Sequence, residues 1–282
     1  MKKQKVWFIT GASKGFGFEI AKAALAAGDK VVATVRSNAD GLRSVLSQGN
    51  DALVVTLDVT REDQVRKGVE EAIAQFGRID VLVNNAGYGL LGGTEEVSDA
   101  EVKRQYDTNV FGLLNVTRAV LPHMRSQHSG HIINIASFLG YLASLPGLGL
   151  YSSTKFAVEG ISEGLALEVK SLGINVTSAA PGLFSTDFAS TNSYQSSAII
   201  LDAYKGSVGG VRVGLGQLHG NQPGDPAKLA QVIIKVANTE NPPLHLPIGK
   251  DSVAAFRKKT EQVQKEVAEW EAVSSSTDRS SK

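Results

Sequence analysis

The chain has 282 residues, 42% of them hydrophobic and 20% charged, enough for one large α/β domain or two small ones with a sizeable core. Twenty-nine basic residues stand against twenty-eight acidic ones, and a net charge of +1 argues against a nucleic-acid or membrane-surface role driven by bulk charge. Cysteine is absent, which excludes disulfides, thiolate catalysis and cysteine-ligated metals and fits a reducing cytoplasm.

The N-terminal MKKQKVWFIT offers only a short apolar run before Gly11, too short for a signal peptide. VWFIT (6–10) reads as a strand and is followed by a helix from about Gly15 to Ala27. KVVATV (30–35) precedes a short helix near 40–48, and ALVVTL (52–57) leads into an amphipathic helix over 61–76 with Val65, Val69, Ile73 and Phe76 at helical spacing. DVLVN (80–84) precedes a helix over about 98–125. HIINIA (131–136) precedes the helix that carries Tyr151, and INVTSA (174–179) and LHLPI (244–248) complete seven strands. The apolar window 132–151 is broken by Asn134, Ser137, Ser144 and Pro146, so it reads as strand and loop, and a soluble protein is expected.

Residues 190–225 change character and are expected to form a loop-rich insertion. Asp225 and Pro226 begin a helix to about 238. A charged helix and a polar tail from 271 end the chain, leaving a single domain over 1–270. Short, continuously apolar strands alternating with helices predict a doubly wound parallel sheet covered on both faces, a three-layer α/β/α arrangement.

TGASKGFG follows the first strand, with glycines at 11, 15 and 17. A strand that ends in glycines and opens a helix gathers backbone N–H groups and the positive end of the helix dipole at one point, an anion site. Gly11 permits the turn, Gly15 the approach of a pyrophosphate and Gly17 the close packing of helix on sheet. A bare glycine triplet also fits an ordinary βα turn; its place at the first βα junction favours a dinucleotide. At the end of the second strand, where a carboxylate would select NAD, stand Val35 and Arg36, and Lys14 lies inside the loop. As solvated surface charges the two cations would mean nothing. As a pair they match a 2′-phosphate and point to NADP(H), with Asp40 too far along to serve the ribose.

With TGASKGFG, LDVT (57–60), NNAG (84–87), TNVFG (108–112), INIAS (133–137), YSSTK (151–155) and PGLFST (181–186) in order, the sequence resembles the short-chain dehydrogenase/reductase family over most of its length, in a bacterial branch similar to 17β-hydroxysteroid dehydrogenases. The resemblance implies that Ser13 and Phe16 join the glycine loop around the cofactor and that Asp58 and Val59 line the adenine. It implies that Asn85, Ala86 and Gly87 pass under the ribose, and that Pro181, Gly182 and Thr186 meet the nicotinamide. Asn109, Ser137, Tyr151 and Lys155 match the catalytic tetrad. The stretch between Ser137 and Tyr151 is one residue longer than the family usually has. The family also implies a homodimer or homotetramer that pairs helices 98–125 and 151–171.

Four-residue spacing places Tyr151 and Lys155 one above the other on a helix. A free tyrosine is too weak an acid for carbonyl reduction at neutral pH, and the Lys155 ammonium is expected to lower its pKa and hold the ribose. Ser137 is expected to orient the substrate oxygen and Asn109 to hold a water that relays protons to Lys155. Singly, each of these residues has an ordinary structural role; their joint occurrence favours catalysis. His123, His128 and His131 read as solvated loop histidines, no metal site is expected, and with no Gly-x-Ser-x-Gly elbow read along the chain a serine hydrolase finds no support. FLGYLASLPGLGL (138–150), containing Leu139, together with Leu90, Leu91, Phe184 and Phe188, is expected to line a greasy pocket. The expected activity is NADP(H)-dependent hydride transfer to a hydrophobic ketone or aldehyde, or from the matching alcohol. An NAD-dependent enzyme of the same fold and a non-catalytic dinucleotide sensor are the alternatives.

Overall fold

In the first strand, Val6 and Phe8 point to one side and Trp7 and Ile9 to the other, and all four are buried. That is possible only where both faces of a sheet are covered. A computed structural model describes residues 4–46, 50–185, 194–218 and 222–279. In chain order its elements are β1 (Val6–Ile9), α1 (Gly15–Ala26), β2 (Lys30–Val35), α2 (Ala39–Leu46), β3 (Ala52–Thr56), α3 (Glu62–Phe76), β4 (Val81–Asn84), β5 (Gly89–Leu91), α4 (Asp99–Tyr106), α5 (Gly112–Gln127) and β6 (Gly130–Ile135). There follow α6 (Gly149–Val169), β7 (Ile174–Pro181), β8 (Tyr194–Ser196), α7 (Val208–Leu218), α8 (Pro226–Ala237), β9 (His245–Ile248) and α9 (Lys250–Ser275).

Seven strands form one parallel sheet in the order β3-β2-β1-β4-β6-β7-β9. These are the seven expected from the sequence. Trp7 and Ile9 belong to the core under α1, α2 and α8, with Ile20, Leu42 and Ile233. Val6 and Phe8 belong to the core under α3, α5 and α6, with Val69, Val116 and Leu165. The chain reverses its direction of sheet growth between β1 and β4, so the C-terminal ends of these two neighbours leave a crevice, the usual ligand position in such sheets.

Three features differ from the expectation. The helix over 98–125 is not uniform: a π turn over Asp107–Phe111 joins α4 to α5, and the N–H of Gly112 bonds back to the Asp107 carbonyl. The segment after 190, expected as loop, contains β8, which pairs with β5 in parallel, and the helix α7. Its five glycines between 206 and 216 hide a stripe of Val208, Val211 and Leu215, and burying that stripe against Leu91, Leu139 and Leu148 offsets their poor helix propensity. At the C-terminus the helix continues to Ser275, past the start of the expected tail at 271.

Candidate active site

Gly11 has φ +66°, a left-handed conformation that closes the turn after β1. A Cβ on Gly17 would stand 2.5 Å from the Gly11 carbonyl oxygen and 2.6 Å from Asn85 Nδ2, so only glycine lets α1 start this close to β4. Asn85 ties the two strand ends together by donating to the carbonyls of Thr10 (2.9 Å) and Gly11 (3.1 Å). The Thr10 hydroxyl accepts from the N–H groups of Asn85 and Ala86, both at 2.9 Å.

A cavity of about 620 Å³ opens above this junction. Gly11, Ser13, Lys14, Gly15 and Phe16 line its floor at one end, with Arg36, Asp58 and Val59 beside them. Asn85, Ala86 and Gly87 form the middle, and Pro181 and Gly182 the opposite wall. Gly17 lies behind this lining as the spacer for α1. Neither Lys14 nor Arg36 makes an ion pair among the described residues, whereas Asp40 pairs with Arg43 at 2.6 Å and stands outside the cavity. A bare loop of backbone N–H groups with two uncommitted cations beside it suits a dinucleotide with an added phosphate.

Asn109 lies in the π turn, buried, with both ends of its amide engaged. Its Oδ1 accepts from the Tyr88 N–H (3.0 Å), and its Nδ2 donates to the Tyr88 carbonyl (3.0 Å) and to Thr154 Oγ1 (3.1 Å). Thr154 in turn donates to the Tyr151 carbonyl at 2.7 Å, so Asn109 ties the strand after Gly87 to the first turn of α6. The extra residue of a π turn re-aims one side chain, and such turns gather at functional sites.

Ser137 follows β6, and its hydroxyl bonds that of Tyr151 while accepting from the Leu139 N–H at 3.2 Å. Lys155, one turn along α6, donates Nζ to the Ile135 carbonyl at 2.7 Å. Its Nζ stands 5.9 Å from the centre of the Tyr151 ring. The expected lowering of the Tyr151 pKa is not what these groups produce. Burial pushes the phenol above its ordinary value, and the hydrogen bond from Ser137 opposes this only in part. Lys155 is itself held down at about 8 by burial, against the pull of the Glu159 carboxylate.

The other end of the cavity is apolar. Leu139, Leu145 and Leu148 come from the segment between β6 and α6, and Tyr194 and Leu215 from β8 and α7. Phe184 lines the cavity too, but its ring meets Phe16 edge-on at 5.4 Å, on the glycine-loop side. Leu90 and Leu91, expected in the lining, are buried instead in β5, and Leu91 packs behind Leu139 and Leu148. Thr186 and Phe188 lie outside the described residues.

Sequence reasoning missed the residues that hold this end in place. Glu96, fully buried, accepts from Arg212 of α7 (2.9 Å) and from the N–H groups of Gly93 (2.7 Å) and Leu201 (2.9 Å). These donors hold its carboxyl at about 2. Arg212 also reaches the Ser197 hydroxyl at 2.8 Å. Asp251, at the start of α9, accepts from the Leu183 N–H at 2.6 Å and so fixes the segment after Gly182. No local motif announces either acid; the helical spacing of Val208, Val211 and Leu215 was the one available signal.

Two other readings are corrected. His131 is not a solvated loop residue: it is buried in β6, bonded to Thr177 Oγ1 at 2.9 Å, and burial brings its pKa down to about 4. The spacing Gly-x-Ser-x-Gly does occur, at 11–15 and 160–164. Ser162 is sealed inside, donating to the Val158 carbonyl and accepting from Asn134, and among the described residues no histidine lines the cavity that Ser13 shares. Among the described residues no group of three His, Cys, Asp or Glu side chains could hold a metal ion, and no helix is long and apolar enough to cross a membrane.

The family profile described as short chain dehydrogenase matches residues 5–196. Among curated relatives, the oxidoreductase BOA17 of Botryotinia fuckeliana is 38% identical over 96% of this chain and 98% of its own. The 3-ketodihydrosphingosine reductase of Bacteroides thetaiotaomicron is 37% identical over 87% of this chain and 88% of its own. A crystal structure of a short-chain dehydrogenase from Streptomyces avermitilis superposes with a TM-score of 0.90 at 42% identity, covering 98% of this chain and all of that one. Two further solved relatives carry different cofactors. A 3-ketoacyl-(acyl-carrier-protein) reductase from Brucella melitensis holds NADH (TM-score 0.74, 28% identity, 88% and 98% coverage), and ElxO holds NADP (TM-score 0.71, 30% identity, 86% and 96% coverage).

Proposed function

This chain belongs to the short-chain dehydrogenase family, and from that premise we propose that it is an NADP(H)-dependent carbonyl reductase or alcohol dehydrogenase for a hydrophobic substrate. One observation carries the reading. The bonded hydroxyls of Ser137 and Tyr151, with Lys155 one turn below, meet the cavity between its cationic loop end and its apolar end. The substrate carbonyl takes the place between the two hydroxyls. Ser137 donates a hydrogen bond to the oxygen and holds it towards Tyr151. Tyr151 gives its proton to that oxygen as the carbonyl carbon is reduced, and takes one back from the alcohol in the opposite direction. The nicotinamide, when bound, supplies or accepts the hydride. Lys155 keeps a positive charge beside the phenol and offers its remaining N–H groups to the ribose, while Asn109 holds the strand after Gly87 and the start of α6 at a fixed separation.

Arg36 and Lys14, without a carboxylate at the end of β2, support NADP(H) over NAD(H). The leucine-lined end supports an uncharged, apolar ketone or aldehyde, a chemistry in keeping with the relative that reduces a long-chain sphingoid ketone by name. Exposed Phe111, Phe156 and Leu167, on the helix over 99–127 and on α6, support pairing of subunits across those helices.

A panel of aliphatic and aromatic ketones and aldehydes, assayed with NADPH and NADH, tests the reading. NADPH oxidation with the more apolar members is expected. Tyr151→Phe is expected to lower kcat by about 10³-fold, with NADPH binding retained by calorimetry. A variant as active as wild type would remove Tyr151 from the chemistry, and a wild-type protein that binds NADPH yet turns over nothing would favour a sensor.

A further inference from the structure

Every residue of α9 from Thr260 to Ser275 is exposed. The helix thus runs for about 22 Å beyond its last contact with the fold, at about 1.5 Å per residue. Along this stretch Val263, Val267 and Trp270 recur at spacings of four and three, the seam of a paired helix. They are 38%, 59% and 62% exposed. The same line continues inward to Thr260 and Phe256, and there it is occupied. The Tyr141 ring stacks on Phe256 at 4.0 Å and 7°, and its hydroxyl lies 3.4 Å from Thr260 Oγ1. The outer half of the line has no such cover among the described residues.

The charges of α9 are divided lengthwise. Residues 250–260 hold Lys250, Arg257, Lys258 and Lys259 against Asp251, a net +3; residues 261–275 hold Glu261, Glu266, Glu269 and Glu271 against Lys265, a net −3. A helix dipole favours the reverse order, so the helix gains nothing from this arrangement on its own. Two such helices side by side in opposite directions about Lys265 bring Arg257 of each copy to Glu271 of the other, whereas parallel helices in register would set Glu266 of each beside Glu271 of the other. An anionic membrane would be repelled by the acidic half that bears the stripe.

We propose that the outer half of α9 is an interface that pairs antiparallel with α9 of a second copy of this chain. Centred near Lys265, the pairing sets Val263 opposite Val267 and Trp270 opposite Thr260. Each Trp270 then covers the Tyr141–Phe256 stack of the other copy. Tyr141 directly follows the turn over Phe138–Gly140, whose first two residues line the substrate cavity. The second copy therefore buttresses the outside of the cavity wall. This interface is separate from the α5 and α6 faces, and its existence does not depend on the activity proposed above.

Light scattering of the full chain, with Val267→Glu/Trp270→Glu beside wild type, reads the interface directly. The variant is expected to have half the wild-type mass, whether wild type is a dimer or a tetramer. Arg257→Glu and Glu271→Arg are each expected to halve the mass alone and to restore it when mixed. Both changes in one chain should also restore it, because antiparallel partners again oppose unlike charges. The chain has two tryptophans, and Trp7 is fully buried, so dilution of wild type should red-shift the emission of Trp270. An unchanged mass in the apolar double variant overturns the proposal. So does failure of the double charge swap to re-associate, or binding of the wild-type chain to anionic vesicles through Trp270 without a change in its mass.

Discussion

The two ends of the cavity are built differently. The cofactor end is made of backbone: Gly11, Gly17 and the strand ends tied by Asn85 define its shape, and Lys14 and Arg36 add charge at its edge. The apolar end is made of side chains carried on segments far apart in sequence, Leu145 and Leu148 before α6, Tyr194 on β8 and Leu215 on α7. Backbone geometry allows few alternatives, because a single Cβ at Gly17 would already strike the turn. A side-chain wall can be repacked while the catalytic groups stay where they are. The difference lets the apolar wall vary while Ser137, Tyr151 and Lys155 keep their places.

If the division is real, each end should respond to its own substitutions. Arg36→Asp is expected to shift the ratio of kcat/KM for NADPH over NADH by about 100-fold towards NADH, the scale of a lost charged contact to phosphate plus a new repulsion. The carbonyl KM at saturating cofactor should hardly move. A ratio that stays put would detach Arg36 from cofactor choice.

The junction between the two ends should respond to pH. Lys155 is held at about 8, so its ammonium is lost as pH rises through that value. Carbonyl reduction is expected to be level below about pH 7 and to fall about tenfold per unit on the alkaline side. Glu159→Gln removes the carboxylate that raises Lys155, and should move the break to lower pH. A profile flat to pH 10 would show that the Lys155 charge is not needed.

The smallest effect belongs to the pair of Glu96 with Arg212 on α7. Arg212→Met leaves Glu96 without its guanidinium and frees α7, and the KM for an apolar ketone is expected to rise about tenfold, as for one or two lost contacts in an apolar pocket. NADPH affinity should be unchanged by calorimetry. Equal losses for substrate and cofactor would mean that the two ends are one unit after all.

The sheet, its strand count and the glycine turn were legible because each rests on local chemistry. Apolar runs mark strands, glycines mark the βα turn, and a four-residue spacing puts Tyr151 above Lys155. The π turn at Asn109 was not legible, since it depends on Tyr88 and Thr154 meeting one amide from two sides. The helix α7 was hidden by its glycines, and only burial against Leu91, Leu139 and Leu148 makes it worth forming.

By itself the sequence determined the fold class, the glycine turn after β1 and the placing of Tyr151 above Lys155 on one helix, all of which follow from residue type at fixed spacing. The tertiary structure alone decided the state of those groups and the walls around them. Burial, a property of the whole fold, raises Tyr151 and lowers Lys155, against the expectation from their spacing. Arg212, Leu183 and Thr177, which bond Glu96, Asp251 and His131, lie between 46 and 116 residues from them in the chain, a range over which no local pattern carries information.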